Sequence, residues 1–239
     1  GTFGTSLLIA GSDAMPGSAL LAATGAIRCG TGKIMIGTTN FAASIIAPVV
    51  PEATYILDGL DKVARGNIPK KIAAIGIGPG LTNEDLVQKA LDQLMDFETP
   101  LVIDAGALLR RENWTAEGPI ILTPHPGEFS RLTGLSVTEI QANRLEVARE
   151  FSEKHHVILV LKGNQTVIAF PDGEIFINPT GNSGLAKGGS GDVLTGMIVS
   201  MLTTHKRIKD AVINAVYIHG LCAEKWAENS DVSGVMWEG

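Results

Sequence analysis

A glycine-rich segment, GGSGD at residues 188–192, is followed directly by the apolar helical pattern VLTGMIVSML. Glycines carry no side chain, so successive backbone N–H groups can converge on an anion. The N-terminal amides and dipole of the next helix favour negative charge at the same place. Asp192 stands at the start of that helix, where it could accept a proton from a substrate hydroxyl. The segment therefore predicts a phosphate-binding active site with Asp192 as the catalytic base.

The competing interpretation of Asp192 is a helix N-cap, which contributes about 1 kcal/mol to stability. An N-cap alone does not explain three glycines and one serine in the four preceding positions, nor the NSGLAKGG sequence upstream. The catalytic interpretation is therefore favoured. The segment is not a Walker loop, because GxxxxGK[ST] is absent.

Five polar or glycine-rich segments come directly after predicted strands. In open α/β sheets, ligands bind beyond the carboxyl ends of the strands, so these segments predict one common cleft. Each segment alone could be an ordinary turn, and GIGPGL in particular could be a tight strand-to-helix connection. The five are GSDAMPGS, GIGPGL, DAGAL, TPHPGE and KGNQT.

Several side chains in these segments have two interpretations each. His125 lies between two prolines that stiffen its loop, and it either contacts substrate or packs the loop. Glu128 either holds a magnesium-bound water or caps the following helix. Lys162 and Thr166 suit the phosphate or ribose of a nucleotide, although Lys162 could also be exposed at a turn.

The elements that position these segments alternate along the chain. Alternating strands and helices predict an α/β layer fold with a mostly parallel sheet. The FPDG sequence at residues 170–173 predicts one antiparallel hairpin. No linker or repeat divides the chain, so residues 1–239 are predicted to form one domain. Strands are predicted at 6–10, 33–37, 53–57, 72–77, 101–104, 120–122, 157–161, 165–169 and 174–178, and helices at 18–28, 84–94, 139–154, 192–202 and 209–226.

The composition excludes several classes of protein. Hydrophobic residues make up 45% and charged residues 18% of 239, which argues against disorder. The net charge is −6 with no basic block, so neither a nucleic-acid nor an anionic-membrane partner is expected. Neither a signal peptide nor an apolar run of transmembrane length is visible. The ends look trimmed, since Gly1 opens almost directly on a strand and MWEG stops without a clear element.

The two cysteines, Cys29 and Cys222, are far apart in the sequence and lack metal-type spacing. A zinc site or a disulfide framework is therefore not expected. This cysteine usage predicts a reducing, cytoplasmic setting.

Five motifs in fixed order across almost the whole chain resemble the ADP-dependent NAD(P)H-hydrate dehydratase family, in its single-domain form without a fused epimerase. The resemblance implies a ribokinase-like fold, a three-layer α/β/α sandwich. A GxGD segment alone would indicate only the wider ribokinase-like group, which includes vitamin and sugar kinases. The motifs are IGPGL, DAGAL, TPHPGEF, LKGNQTVI and GNSGLAKGGSGDVLTGMI.

The resemblance implies a repair reaction on hydrated NADH or NADPH. The family dehydrates the S epimer while ADP is consumed and AMP and phosphate are released. Phosphorylation would convert hydroxide, a poor leaving group, into phosphate, which departs readily. Asp192 would deprotonate the 6-hydroxyl for attack on the β-phosphate, and the amides of residues 189–191 would stabilise the transferring group.

The resemblance also assigns binding residues. The hydrated nicotinamide nucleotide would contact Ala19, Gly80, His125 and Asp192. Mg²⁺ is expected with the nucleotide, held mainly by phosphates and waters. Homo-oligomers, tetramers among them, and a separate epimerase protein as functional partner are also implied. The nucleotide (ADP or AMP) would be bound by Lys162, Gly163, Asn164, Gln165, Thr166, Gly189, Ser190 and Gly191.

Two positions depart from the pattern of the family. GIGPGLT has threonine where relatives often have another glycine, and GGSGD has serine where threonine is common. A ribokinase-like small-molecule kinase acting on a vitamin precursor is the alternative function, because it would share the anion site and the aspartate. A non-catalytic nucleotide-binding protein is disfavoured by the intact Asp192.

Overall fold

The computed structural model describes residues 4–228. Nine strands form one sheet in the order β3-β2-β1-β4-β5-β6-β7-β8-β9. Neighbouring strands from β3 through β7 pair in parallel, whereas β7–β8 and β8–β9 pair antiparallel. The strands are β1 (Thr5–Ile9), β2 (Lys33–Thr38), β3 (Thr54–Leu57), β4 (Ala74–Ile77), β5 (Leu101–Ile103), β6 (Ile120–Leu122), β7 (Ile158–Leu161), β8 (Val167–Ala169) and β9 (Ile175–Ile177).

Helices cover both faces of the sheet. One apolar cluster joins the sheet to α1, α2, α8 and α9. A second cluster joins the opposite face to the remaining helices. This is the predicted α/β/α sandwich. The helices are α1 (Pro16–Arg28), α2 (Asn40–Ile46), α3 (Gly59–Ala64), α4 (Glu84–Leu94), α5 (Pro126–Thr133), α6 (Val137–Ala142), α7 (Arg144–His155), α8 (Ser190–Thr204) and α9 (Ile208–Ala227).

The central strands are apolar because both of their faces are covered. Every residue of β4, β5, β6 and β7 is buried. Uninterrupted apolar runs of this kind are expected in parallel sheets with helices on both sides. The FPDG hairpin is confirmed between β8 and β9, with Gly173 at φ +85.

Two features of the fold differ from the sequence prediction. The helix expected at 139–154 is two helices, because Asn143 leaves helical geometry at φ −134 and ψ 37. The first of them begins earlier than predicted, where Ser136 and Glu139 form a reciprocal capping box. The short helices α2 and α3 were not predicted at all. Thr39 is the sequence signal for the start of α2, because threonine is a preferred N-cap residue. In the structure its side chain accepts from the Ala42 amide.

Helices α1 and α8 approach so closely that only small residues fit between them. A Cβ on Gly196 would lie 1.8 Å from the carbonyl oxygen of Ala22, and one on Gly25 would lie 2.4 Å from that of Val193. This contact fixes the first two turns of α8 against the middle of α1. Within residues 4–228, no helix is long and apolar enough to cross a membrane.

Candidate active site

A cleft of about 770 Å³ opens beyond the carboxyl ends of the central strands. It contains the loops that follow β5, β6 and β7, together with the N-terminus of α8. The structure thus brings together most of the residues that the sequence assigned to the site. The predicted residues that line it are His125, Lys162, Gly163, Asn164, Gln165, Thr166, Gly189, Ser190, Gly191 and Asp192.

The glycine-rich segment forms the floor of this cleft. Gly189 adopts a left-handed conformation at φ +90, which favours glycine, and α8 begins at Ser190. The Ser190 hydroxyl donates to the carbonyls of Leu185 (2.7 Å) and Lys187 (3.0 Å). It therefore closes the turn. The anion-binding capacity comes instead from the first amides of α8, which have no carbonyl partner within a helix.

Asp192 is the third residue of α8, and its N-cap is Gly189. The N-cap interpretation of Asp192 is therefore wrong. Burial, with the charges of Asp104 and Glu128, raises the pKa of Asp192 to about 6, against the lowering effects of Ser18 and Lys162. A carboxylate with a pKa in this range is ionised at neutral pH yet basic enough to take a proton.

Lys162 is mostly buried, with 19% of its side chain exposed, so the exposed-turn interpretation is wrong. Its Nζ lies 2.8 Å from Oδ1 of Asp104 and 3.8 Å from Oε2 of Glu128. A Cβ at Gly191 would lie only 3.2 Å from that nitrogen. The ammonium therefore reaches the anion site itself.

His125 and Glu128 cap α5 reciprocally. Nδ1 of His125 accepts from the amides of Gly127 and Glu128, at 3.0 and 3.2 Å. Oε2 of Glu128 accepts from the His125 amide at 2.7 Å. The cap interpretation of Glu128 is confirmed. Because Nδ1 is occupied by the cap, Nε2 is the ring atom of His125 that a ligand can reach; it lies 3.5 Å from Oε1 of Glu128, on a side chain that is 56% exposed.

Ala19 and Gly80 do not line the cleft; they lie around the turn that carries Ser18. A Cβ on Gly80, at φ +71, would lie 2.8 Å from Cβ of Ser18. Ala19 is fully buried, against Gly11. The Ser18 hydroxyl is hydrogen-bonded to Asp192. Both residues are therefore near Asp192, and their contact with substrate stays a prediction.

Four further residues belong to the site, and sequence reasoning did not single them out. Asp104 had a visible signal, as a carboxylate directly after a buried strand. Thr195 and Ser18 had no signal in the sequence, because their partners, Asp104 and Asp192, are on other elements. His219 on α9 had no sequence signal either. Its Nε2 lies 3.0 Å from the Ser190 carbonyl, and burial lowers its pKa to about 4. A neutral histidine thus donates to the loop that forms the anion site.

The residues near the anion site do not form a metal cage. No group of three or more His, Cys, Asp or Glu that could hold a metal ion occurs between residues 4 and 228. The carboxylates of Asp104 and Glu128 are instead bonded to protein donors. A magnesium ion would therefore need phosphate oxygens and waters as its main ligands.

Comparisons with known proteins agree on one family. The family model described as NAD(P)H-hydrate dehydratase matches residues 6–237. The ADP-dependent (S)-NAD(P)H-hydrate dehydratase of Bacillus subtilis (strain 168) is 55% identical over 228 residues, which cover 95% of this chain and 83% of the relative.

Solved structures give the same result. The ADP/ATP-dependent NAD(P)H-hydrate dehydratase from Bacillus subtilis, co-crystallized with ATP/Mg²⁺ and soaked with CoA, superimposes with a TM-score of 0.96 at 53% identity, covering 98% of this chain and 87% of that one. A ribokinase-like superfamily protein from Enterococcus faecalis V583 has a TM-score of 0.85 at 28% identity, covering 96% and 81%. The fold is therefore ribokinase-like, and the chain belongs to the NAD(P)H-hydrate dehydratase family.

Proposed function

We propose that this protein dehydrates the S epimer of NAD(P)H hydrate to NAD(P)H while ADP is converted to AMP and phosphate. The observation that carries the proposal is the half-buried Asp192, set in the first turn of α8 beside the glycine-rich anion site. The Bacillus subtilis relative, at 55% identity, has this activity in its name.

The reaction proceeds in two steps. Asp192 accepts the proton of the 6-hydroxyl as that oxygen attacks the β-phosphorus of ADP, and the bond from phosphorus to the AMP oxygen breaks. The amides of residues 189–191 stabilise the charge of the transferring group. The phosphate ester then leaves with the electrons of its C–O bond, and loss of a proton from the adjacent ring carbon restores the double bond.

The two substrates approach Asp192 from different sides. ADP occupies the cleft lined by the residues from Lys162 to Thr166 and by the start of α8. The hydrated nicotinamide lies against the loops that carry Gly80 and Ala19, with Nε2 of His125 as a polar contact. This arrangement is supported by the place of Ser18, which joins those loops to the carboxylate of Asp192.

Mg²⁺ accompanies the nucleotide in this proposal. Bound to the phosphates, it would neutralise part of their charge. The chain's own residues supply the other stabilising groups, namely the α8 amides and the ammonium of Lys162.

The proposal also covers the domain organisation, the oligomeric state and the cellular setting of the protein. All nine strands between residues 4 and 228 join one sheet, which supports a single catalytic domain. Homo-oligomers are supported by exposed apolar side chains at Phe41 and Ile45 on α2 and at the nearby Val49. The proposal also includes a cytoplasmic setting, which the free thiols of Cys29 and Cys222 support. It further includes a separate epimerase protein as functional partner.

The test is incubation of the protein with hydrated NADH and ADP, with absorbance followed at the reduced-nicotinamide wavelength. We expect ADP-dependent recovery of NADH, with AMP and free phosphate in equal amounts. No recovery would contradict the proposal. Accumulation of a stable phosphorylated product from a vitamin precursor would instead favour the ribokinase-like kinase alternative, which shares the anion site and the base.

A further inference from the structure

Asp104 is a buried carboxylate whose two oxygens have different partners. It follows β5 directly and is 1% exposed. Its Oδ1 accepts from Nζ of Lys162 at 2.8 Å, and its Oδ2 accepts from the hydroxyl of Thr195 at 2.8 Å. Thr195 is itself fully buried on α8. One side chain therefore connects the end of β5 to the end of β7 and to α8.

The ion pair with Asp104 controls both the charge and the position of Lys162. Burial alone acts to lower the pKa of Lys162, but the charges of Asp104 and Glu128 and the hydrogen bond to Asp104 together raise it. The side chain is therefore a cation despite its burial. A buried ammonium that lost its counter-charge would tend to shed its proton.

The ammonium held in this way lies beside the glycine-rich segment at the start of α8. Its Nζ lies within 3.2 Å of the position that a Cβ on Gly191 would take. Gly191 is the residue before Asp192, in the turn that binds the phosphate under the proposed function. Lys162 is thus placed beside the phosphate that is transferred, although the family resemblance assigned it with its neighbours to the AMP moiety.

We propose that Asp104 is a positioning residue for the reaction, which holds the ammonium of Lys162 against the phosphate undergoing transfer and tethers it to α8 through Thr195. This inference rests on the proposed function. A fixed cation at the transferring group adds no reorganisation cost when charge develops there.

A second effect of Asp104 gives the proposal a specific signature. Four charged or polar groups act on Asp192: Asp104 and Glu128 raise its pKa, while Ser18 and Lys162 lower it. His219 faces Lys162 from α9 and is neutral. Removal of the Asp104 charge should therefore lower the pKa of Asp192.

The experiment is a double-mutant cycle on Asp104→Asn and Lys162→Met, with kcat, the pH profile of kcat/KM and ADP affinity by calorimetry measured for all four proteins. We expect Asp104→Asn to lower kcat by about tenfold or more and Lys162→Met by about 100-fold. The acid limb should move to lower pH in Asp104→Asn and to higher pH in Lys162→Met. Each single variant should bind ADP more weakly, and the double variant should be no worse than Lys162→Met.

Three outcomes would overturn the inference: additive losses in the double variant, an unmoved acid limb in Asp104→Asn, or tighter ADP binding by Asp104→Asn. Should Asp104→Asn alone fail to fold, the comparison of Lys162→Met with the double variant, neither of which carries an unpaired buried lysine, still tests whether Asp104 acts through Lys162: a further loss in the double variant would overturn the inference. Asp92→Asn is the matched control, because it breaks a 2.6 Å pair with Arg111 outside the cleft and should change none of these quantities. An inactive wild type would contradict the proposed function, and the calorimetric cycle would still test the place of Lys162.

Discussion

The hydroxyl of Ser18, in the first turn of α1, is hydrogen-bonded to the carboxylate of Asp192, in the first turn of α8. The two residues are far apart in the sequence, and the close contact of α1 with α8 brings them together. The bond orients the carboxylate and opposes the rise of its pKa that burial causes. The protonation state of Asp192, the proposed base, therefore depends on how α1 and α8 pack.

Replacement of Ser18 by alanine should move the acid limb of kcat/KM to higher pH. The lost hydrogen bond stabilises the ionised form of Asp192, so its pKa rises further above about 6. The loss of activity should be several-fold at pH 6 and small at pH 8, where the carboxylate is ionised in both proteins. Ser18→Thr, which keeps the hydroxyl, should restore the wild-type profile. An unchanged limb in Ser18→Ala would show that the bond has no effect on the base.

Asp192→Asn should abolish turnover, retain ADP binding and raise the thermal stability near pH 7.5. The pKa of Asp192 is raised from 3.8 to about 6 in the folded protein, so ionisation costs folding free energy as the pH rises through that range. The difference in Tm between variant and wild type should be absent below about pH 4 and complete above about pH 6. Calorimetric melts across this range measure it. Measurable turnover would sink the assignment of the base.

His219 should make the wild type lose stability on acidification. Its folded pKa is about 4 against 6.5 ordinarily, so its contribution is present above pH 6.5 and is lost as the pH falls towards 4. That contribution is at most about 3.5 kcal/mol. His219→Gln cannot be protonated and should flatten this part of the curve, as measured by urea unfolding at each pH. A wild-type slope retained in the variant would exclude His219 as its source.

Gly196→Ala should destabilise the protein and reduce activity together. Its Cβ would lie 1.8 Å from the Ala22 carbonyl, so α8 would have to move from α1 and take Asp192 away from Ser18. The expected loss of unfolding free energy is about 2 kcal/mol or more. Gly17→Ala is the matched control, since an added Cβ there meets nothing within 4 Å. Equal stability of the two variants would show that the helix contact tolerates separation.

The elements of the fold were largely predictable because their signals are local. Apolar runs such as β7 and the capped pattern of α4 can be recognised from a few neighbouring residues. The break between α6 and α7 was not predicted, since the apolar spacing continues across Asn143. The general place of the site followed from the topology, because loops after parallel strands meet at one edge of the sheet.

The sequence by itself determined the family, and it predicted the glycine-rich anion site and the candidate base, since these depend on residues close together in the chain. Only the tertiary structure decided what surrounds the base. Asp104, Lys162, Ser18 and His219 reach the start of α8 from four other elements. Their burial and charges set the protonation states, and such effects depend on distances in space that no spacing along the chain encodes.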